Sequence, residues 1–271
     1  MSESADMSVE FAGLRLKNPI LAASGTFGYG LEFQSLLDLN ELGGLVVKGL
    51  SREPMAGNPP PRLVETPAGL LNSIGLQNVG VEAFVREKLP RLARFSTAVI
   101  ANVFGNETED YVEVVRRLED AAGLAAYELN LSCPNTARGG IVFGSDPALI
   151  AEVTAAVRKV CKRSLWVKLS PNVTDICPFA QAAEAGGADA ITLVNTFVGM
   201  QIGEATARRT LPSGTGGLSG PAIHALAVRL VYQAARAVRI PVIGVGGILC
   251  GADAAEFLRA GAVAVQVGTA N

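Results

Sequence analysis

Histidine is nearly absent from this chain: His224 is the only one among 271 residues, and it opens a predicted helix. A Cys–His dyad is therefore not expected. The four cysteines, Cys133, Cys161, Cys177 and Cys250, lie far apart with no Cys-x-x-Cys. That argues against a disulfide framework and against a zinc or iron–sulfur site, and it makes a reduced, cytoplasmic setting the expectation. Neither sign of charge dominates, with 23 Lys and Arg against 25 Asp and Glu and a net charge of −2. No basic excess points to nucleic acid and no acidic tail points to a basic partner. Apolar runs are broken by Lys, Asn or Gly well short of the roughly 18 residues of a membrane span. Met1–Met7 is polar and acidic, lacking both the basic and the apolar region of a signal peptide, and its acidity argues against a transit peptide. No Gly-x-Gly-x-x-Gly opens a first βα unit, so a Rossmann NAD site is not supported.

What the chain does have is apolar residues, 49% of the total, and 30 glycines. The apolar fraction is ample for a core and rules out intrinsic disorder. Short β-branched runs predict strands at Ile20–Ala23, Gly44–Val47, Ala98–Val103, Ala126–Leu131, Leu165–Leu169, Ala190–Val194, Val242–Val245 and Ala262–Val267. Stretches with helical spacing fall between them at Val81–Ala93, Thr108–Ala122, Pro147–Cys161, Asp175–Ala185, Ala222–Ala237 and Ala252–Ala260. Asn106 and Thr108, Asp146-Pro147 and Gly220-Pro221 read as helix starts. Nearly continuous apolar strands imply a parallel sheet buried on both faces. About eight strand–helix alternations predict an α/β chain closed into a (β/α)8 TIM barrel, with a doubly wound open sheet as the alternative. No composition break divides residues 1–271, so one domain is expected. Two long segments, about 49–80 and 197–219, read as functional loops. Gly49–Gly80 carries few strand or helix signals. The chain stops at Asn271, directly after the last strand. The barrel is thus expected to lack its final C-terminal helix, through truncation or because another chain covers the seam.

In a barrel the chemistry gathers at the C-terminal ends of the strands. Those ends carry Ser24, Lys48, Asn102, Asn130 with Cys133, Lys168, Asn195 with Thr196, Gly246-Gly247 and Gly268-Thr269. Two lysines on one rim, Lys48 and Lys168, favour an anionic or electron-rich ligand, and a lysine beside a flavin would stabilise the charge that develops on reduction. Glycines after the last two strands suit a phosphate held by backbone N–H groups. Cys161, Cys177 and Cys250 fall in helical stretches and read as small core residues. Cys133 follows a strand end and precedes a proline, where a thiol with a reference pKa of about 8.5 could serve as a base.

The motifs together resemble the dihydroorotate dehydrogenases from about Val9 to Asn271. They are Asn18-Pro19 with Ala23–Gly28, Lys48-Gly49, Asn72–Asn78, Asn130–Asn135, Val167–Leu169, Val194–Thr196, Gly217–Pro221, Gly246–Ile248 and Gly268–Ala270. The resemblance is closest to the catalytic subunit of the class 1B, NAD-linked form. It implies an FMN-binding barrel that oxidises dihydroorotate to orotate in pyrimidine (UMP) biosynthesis. By the same resemblance Ser24, Lys48, Gly49, Asn102, Asn130, Lys168, Val194 and Gly220 line the FMN ring and ribityl chain, and Gly246, Gly247, Gly268 and Thr269 hold its phosphate. Lys48, Asn72, Ser73, Ile74, Gly75, Leu76, Asn130, Asn195 and Thr196 grip the substrate, for which amide donor–acceptor pairs are suited. Cys133 removes the C5 proton. No resident metal is expected.

Cys133 and the polar N-terminus differ from the membrane-bound class 2 form, which uses a serine base. Gly57–Arg62, Glu65–Gly69, Met200 and Gly214–Pro221 resemble class 1B more than the fumarate-linked class 1A homodimer. Class 1B implies an electron-transfer subunit carrying FAD and a [2Fe–2S] cluster, around a catalytic homodimer within a heterotetramer. His224 stands where the family commonly has lysine and is expected to be peripheral. Three other readings compete. One is a dihydropyrimidine dehydrogenase-like flavoenzyme; another is a phosphate-binding barrel lyase with a lysine Schiff base; the third is an inactive, truncated flavin-binding fragment.

Overall fold

The structure, a computed structural model, describes residues 5–131, 137–138, 141–203 and 207–271. The eight predicted apolar runs form β1 (Ile20–Ala22), β2 (Gly44–Val46), β3 (Ala98–Val103), β4 (Ala126–Asn130), β5 (Ser164–Lys168), β6 (Ala190–Leu193), β7 (Val242–Val245) and β8 (Ala264–Val267). Each lies parallel to its neighbours in sequence, and β8 pairs with β1 through Val265↔Ile20, Gln266↔Leu21 and Val267↔Ala22, closing the barrel.

The outer helices are α1 (residues 81–92, with a π turn at Phe84–Lys88), α2 (Thr108–Glu119), α3 (Pro147–Arg158), α4 (Cys177–Ala185), α5 (His224–Ala237) and α6 (Gly251–Ala260). Their starts follow from local chemistry. Asp146 accepts from the Ala148 N–H, Pro147 occupies the first turn of α3, and Ile150, Val153, Thr154 and Val157 form its buried stripe. In α2 the cap is Glu107, in a reciprocal box with Asp110, rather than Asn106 or Thr108. Gly261, at φ 114°, ends α6 in the left-handed region that only glycine adopts freely. β1 and β2 are joined by 3-10 turns at Leu31–Phe33 and Leu39–Glu41. No helix follows β8 within residues 264–271.

Strand alternation sorts the barrel interior into layers. The lower layer is apolar: Leu21, Val46, Ile100, Ala126, Trp166, Ala190, Ile243 and Ala264 form one buried cluster. A hairpin of Val9–Phe11 and Leu14–Leu16 closes this end, with Phe11 and Leu16 in the same cluster and the Phe11 ring 5.7 Å from Trp166. Two residues further along each strand stand Ala23, Lys48, Asn102, Glu128, Lys168, Thr192, Val245 and Gln266. Most of that upper layer is polar.

Both long segments contain short strands. Leu63–Thr66 and Gly69–Asn72 form a hairpin, and Phe197–Gly199 and Gly216–Ser219 form another. They join through Asn72↔Gly217, Leu71↔Leu218 and Leu70↔Ser219 into one four-stranded antiparallel sheet. The segments leave the C-terminal ends of β2 and β6, so this sheet lies on the side of the barrel where strand ends present their polar residues. No described helix is long and apolar enough to cross a membrane.

Candidate active site

The upper layer gathers three of the residues expected at the site. Lys168 is buried and Lys48 half-buried. Asn102 is 1% exposed and donates from Nδ2 to Glu128 Oε1 at 2.8 Å. Glu128 itself is wholly buried. It also accepts from Thr192 Oγ1 at 2.9 Å and Gln266 Nε2 at 2.7 Å, and Lys168 Nζ lies 3.9 Å from its Oε1. An ionised carboxylate in the barrel core is costly unless it is paired and hydrogen-bonded; here four strands supply its partners. Gly49 packs beside this layer: a Cβ there would lie 2.9 Å from Asn102 Oδ1 and 3.1 Å from the Phe104 ring.

Above that layer Asn195 Nδ2 donates to Asn130 Oδ1 at 3.3 Å, and Asn195 Oδ1 accepts from the Thr196 N–H at 2.8 Å. Tyr111 on α2 donates to the Asn130 carbonyl at 3.1 Å, fixing the end of β4 from behind. Asn172 donates to the Thr196 carbonyl and accepts from the Val198 N–H, joining the turn after β5 to the start of the cap sheet. Val194 follows β6 through a cis Leu193–Val194 peptide and is buried.

On the opposite arc, Ser24 Oγ donates to the Val47 carbonyl at 2.8 Å. Gly246 and Gly247 follow β7, and Gly268 and Thr269 follow β8, which is paired in parallel with β7. Among the described residues, the N–H groups of Gly247, Ile248, Gly268 and Thr269 donate to no backbone acceptor. Thr269 Oγ1 donates to Ser219 Oγ at 2.9 Å, tying the cap sheet to this arc, and Gly220 packs against the Gly69 Cα.

The predicted rim segment is held by its own amides. Asn72 Nδ2 donates to the Gly217 carbonyl at 3.1 Å. Asn58 Nδ2 donates to both the carbonyl and the hydroxyl of Ser73, and its N–H donates to the Ile74 carbonyl. Gly75 and Leu76 both have positive φ, 73° and 57°. For leucine that conformation is a strain of roughly 1–2 kcal/mol. The strain is opposed by Asn78, which donates to the Leu76 carbonyl and accepts from the Gly80 N–H. Tyr29 accepts from the Val79 N–H, and burial pushes its phenol up, so it stays neutral near physiological pH.

His224 Cβ lies 2.7 Å from where a Cβ on Gly247 would stand, while its Nε2 pairs with exposed Glu256 Oε2 at 3.0 Å. One expectation needs correction. Cys250 is not a core residue but the exposed cap of α6, and Cys177 is only half-buried; Cys161 is buried as expected. Cys133 lies outside the described residues. Sequence reasoning missed Glu128, Thr192 and Gln266. Their signal was present as polar residues inside apolar runs, two positions beyond core-facing Ala126, Ala190 and Ala264.

The family model for dihydroorotate dehydrogenase matches residues 6–271. The chain belongs to the dihydroorotate dehydrogenase family. It is 65% identical over 264 residues to a Solibacter usitatus protein provisionally named dihydroorotate dehydrogenase A (fumarate), covering 97% of this chain and 87% of that one. It is 55% identical over 266 residues to a Pelobacter propionicus protein named dihydroorotate dehydrogenase B (NAD(+)), catalytic subunit, covering 98% and 88%. A Trichlorobacter lovleyi protein of that same name is 56% identical over 265 residues, covering 98% and 87%. Among dihydroorotate dehydrogenases, then, similar sequences carry two different acceptor names.

Proposed function

We propose that this chain oxidises dihydroorotate to orotate in pyrimidine biosynthesis, with residues 1–271 acting as one FMN-binding barrel domain. The observation that supports this best is the stacking of two polar tiers at one barrel mouth, Lys48, Asn102 and Lys168 beneath Asn130, Asn195 and Thr196. The residues present fit FMN. Asn102 Oδ1 is buried without a partner among the described residues, as an acceptor awaiting a ligand donor would be. The glycines after β7 and β8 leave backbone N–H groups open to a phosphate.

In this reading Ser24, Lys48, Gly49, Asn102, Asn130, Lys168, Val194 and Gly220 hold the ring and ribityl chain, and Gly246, Gly247, Gly268 and Thr269 hold the phosphate. Lys48, Asn72–Leu76, Asn130, Asn195 and Thr196 bind the substrate, the lysine facing its carboxylate and the amides its ring edges. When bound, FMN supplies the two-electron acceptor for the hydride that leaves C6. Cys133 takes the C5 proton, and the paired amides of Asn130 and Asn195 hold the ring for that transfer. The cap sheet, joined to the barrel through Ser219 and Thr269, limits water at the mouth.

The test is production of orotate from dihydroorotate with a dye acceptor by the purified, FMN-supplemented chain. Turnover of dihydrouracil and none of dihydroorotate would move the chain to the pyrimidine-reducing flavoenzymes. For the physiological acceptor we propose NAD through a partner subunit carrying FAD and a [2Fe–2S] cluster, around a catalytic homodimer in a cytoplasmic heterotetramer. The relatives named as catalytic subunits support that reading. The Solibacter relative favours a second, fumarate. Reoxidation of the reduced chain by fumarate alone decides for the second.

A further inference from the structure

Resting on the proposed function above, we propose that Glu128 is a positioning residue. It orients two amides and one ammonium group at the floor of the cofactor site and sets the electrostatics felt there. Barrel interiors are ordinarily filled with branched apolar side chains, and replacing a buried ion by a well-packed apolar group is often neutral or stabilising. Glu128 occupies such an interior place, fully buried, between the apolar lower layer and the mouth. Packing alone does not ask for a carboxylate there.

The hydrogen bonds show what a carboxylate does that leucine could not. It is acceptor-only when ionised. It therefore turns the amide of Asn102 so that Nδ2 faces it, and does the same to Gln266 through Nε2. Both amides are consequently left with their carbonyl oxygens, Asn102 Oδ1 and Gln266 Oε1, buried and without partners among the described residues. Thr192 fills a further acceptor site. Lys168 Nζ, at 3.9 Å, is close enough to be held by the charge but too far for a direct hydrogen bond. The floor thus presents oriented acceptors and a cation whose field is partly balanced by one buried anion. The ring edge of a flavin needs both: an acceptor for its N–H group, and a positive charge where negative charge gathers on reduction.

The direction of the effect follows. Neutralising Glu128 leaves Lys168 unbalanced, which favours the reduced, more negative form of the bound flavin. It also frees Asn102 to turn, which costs the acceptor. Glu128→Gln keeps the shape and removes the charge. Its holoprotein is equilibrated anaerobically against a reference dye, and FMN affinity is measured by fluorescence quenching. The expected result is a shift of at least tenfold toward the reduced form, about 30 mV positive for a two-electron couple. FMN should also bind severalfold more weakly, and Glu128→Asp should recover most of the potential.

Should Glu128→Gln fail to fold, Thr192→Val, which removes one donor but leaves the carboxylate charge in place and less compensated, should shift the potential the opposite way, toward the oxidised form, and by less. A folded Glu128→Gln with potential and FMN affinity within twofold of the unaltered protein overturns the proposal. So does an unchanged potential in Thr192→Val when Glu128→Gln cannot be made. If the unaltered protein takes up no FMN, the reading of the site fails and this inference with it; if it takes up FMN and only the variants are silent, this inference alone falls.

Discussion

Two glycines at the mouth, with a third at the far end as control, separate packing from ligand binding. Gly247 sits at φ 68°, and a Cβ there would meet His224 Cβ at 2.7 Å and the Gly220 carbonyl oxygen and His224 Cα at 2.9 Å. Gly247→Ala thus combines a left-handed backbone penalty of roughly 1–2 kcal/mol with overpacking of about 1–3 kcal/mol, because the start of α5 must move. About 3 kcal/mol is expected, a Tm loss of roughly 6–12 °C for a chain of this size. Gly268 differs: a Cβ there meets nothing closer than Ala23 Cβ at 3.7 Å and Thr26 Oγ1 at 3.9 Å. Gly268→Ala should hold stability within about 0.5 kcal/mol, yet place a methyl group where the phosphate is proposed to sit. FMN affinity should then fall at least about tenfold, or about 1.4 kcal/mol. Gly261→Ala is the control. It loses the left-handed cap of α6 and crowds Ala235 at 2.9 Å, at the end of the barrel away from the mouth, so stability should fall with FMN affinity unchanged. The assays are thermal unfolding of the apoprotein and fluorescence titration with FMN. Unchanged FMN binding in Gly268→Ala refutes the phosphate cradle, and an unchanged Tm in Gly247→Ala refutes the packing argument.

Other outcomes follow from the same features. Cys133→Ser should retain FMN and lose most turnover at neutral pH, and wild-type turnover would remove Cys133 as the base. Lys168→Ala should impair flavin reduction and destabilise the fold, because buried Glu128 keeps its three hydrogen-bond donors but loses its cationic neighbour; normal reduction spectra would place that lysine outside the site. Burial pushes the Cys161 thiol up to about 11, so at pH 8 its thiolate fraction is on the order of a thousandth. Alkylation of the native protein followed by peptide mapping should label exposed Cys250 long before Cys161. Labelling of Cys161 should rise with pH, and equal labelling at pH 8 would contradict its burial.

The barrel was legible because its strands are buried on both faces. Runs such as Val99–Ala101 and Leu165–Val167 have no polar side to blur them, and each of the eight predicted strands is found within a few residues. The short antiparallel strands were not legible. Leu63–Thr66 and Gly69–Asn72 are four residues each in a proline-rich stretch; they pair with each other, and Gly69–Asn72 also pairs with Gly216–Ser219 across 145 residues of chain. Local propensity carries no trace of such a partner. At the proposed site, searching strand ends singled out Lys48, Asn102, Lys168 and Asn195, which the fold gathers at one barrel mouth, but passed over Glu128 and Gln266. Those two lie one step inside the strands, where only the alternation of faces marks them.

The most direct test of the whole account is an anaerobic visible spectrum of the FMN-loaded protein, titrated with dihydroorotate. The account predicts flavin absorbance that bleaches in proportion to substrate, reaching completion near one equivalent per bound flavin, with orotate formed in equal amount. Flavin bands that persist through excess dihydroorotate, with no orotate formed, would contradict it.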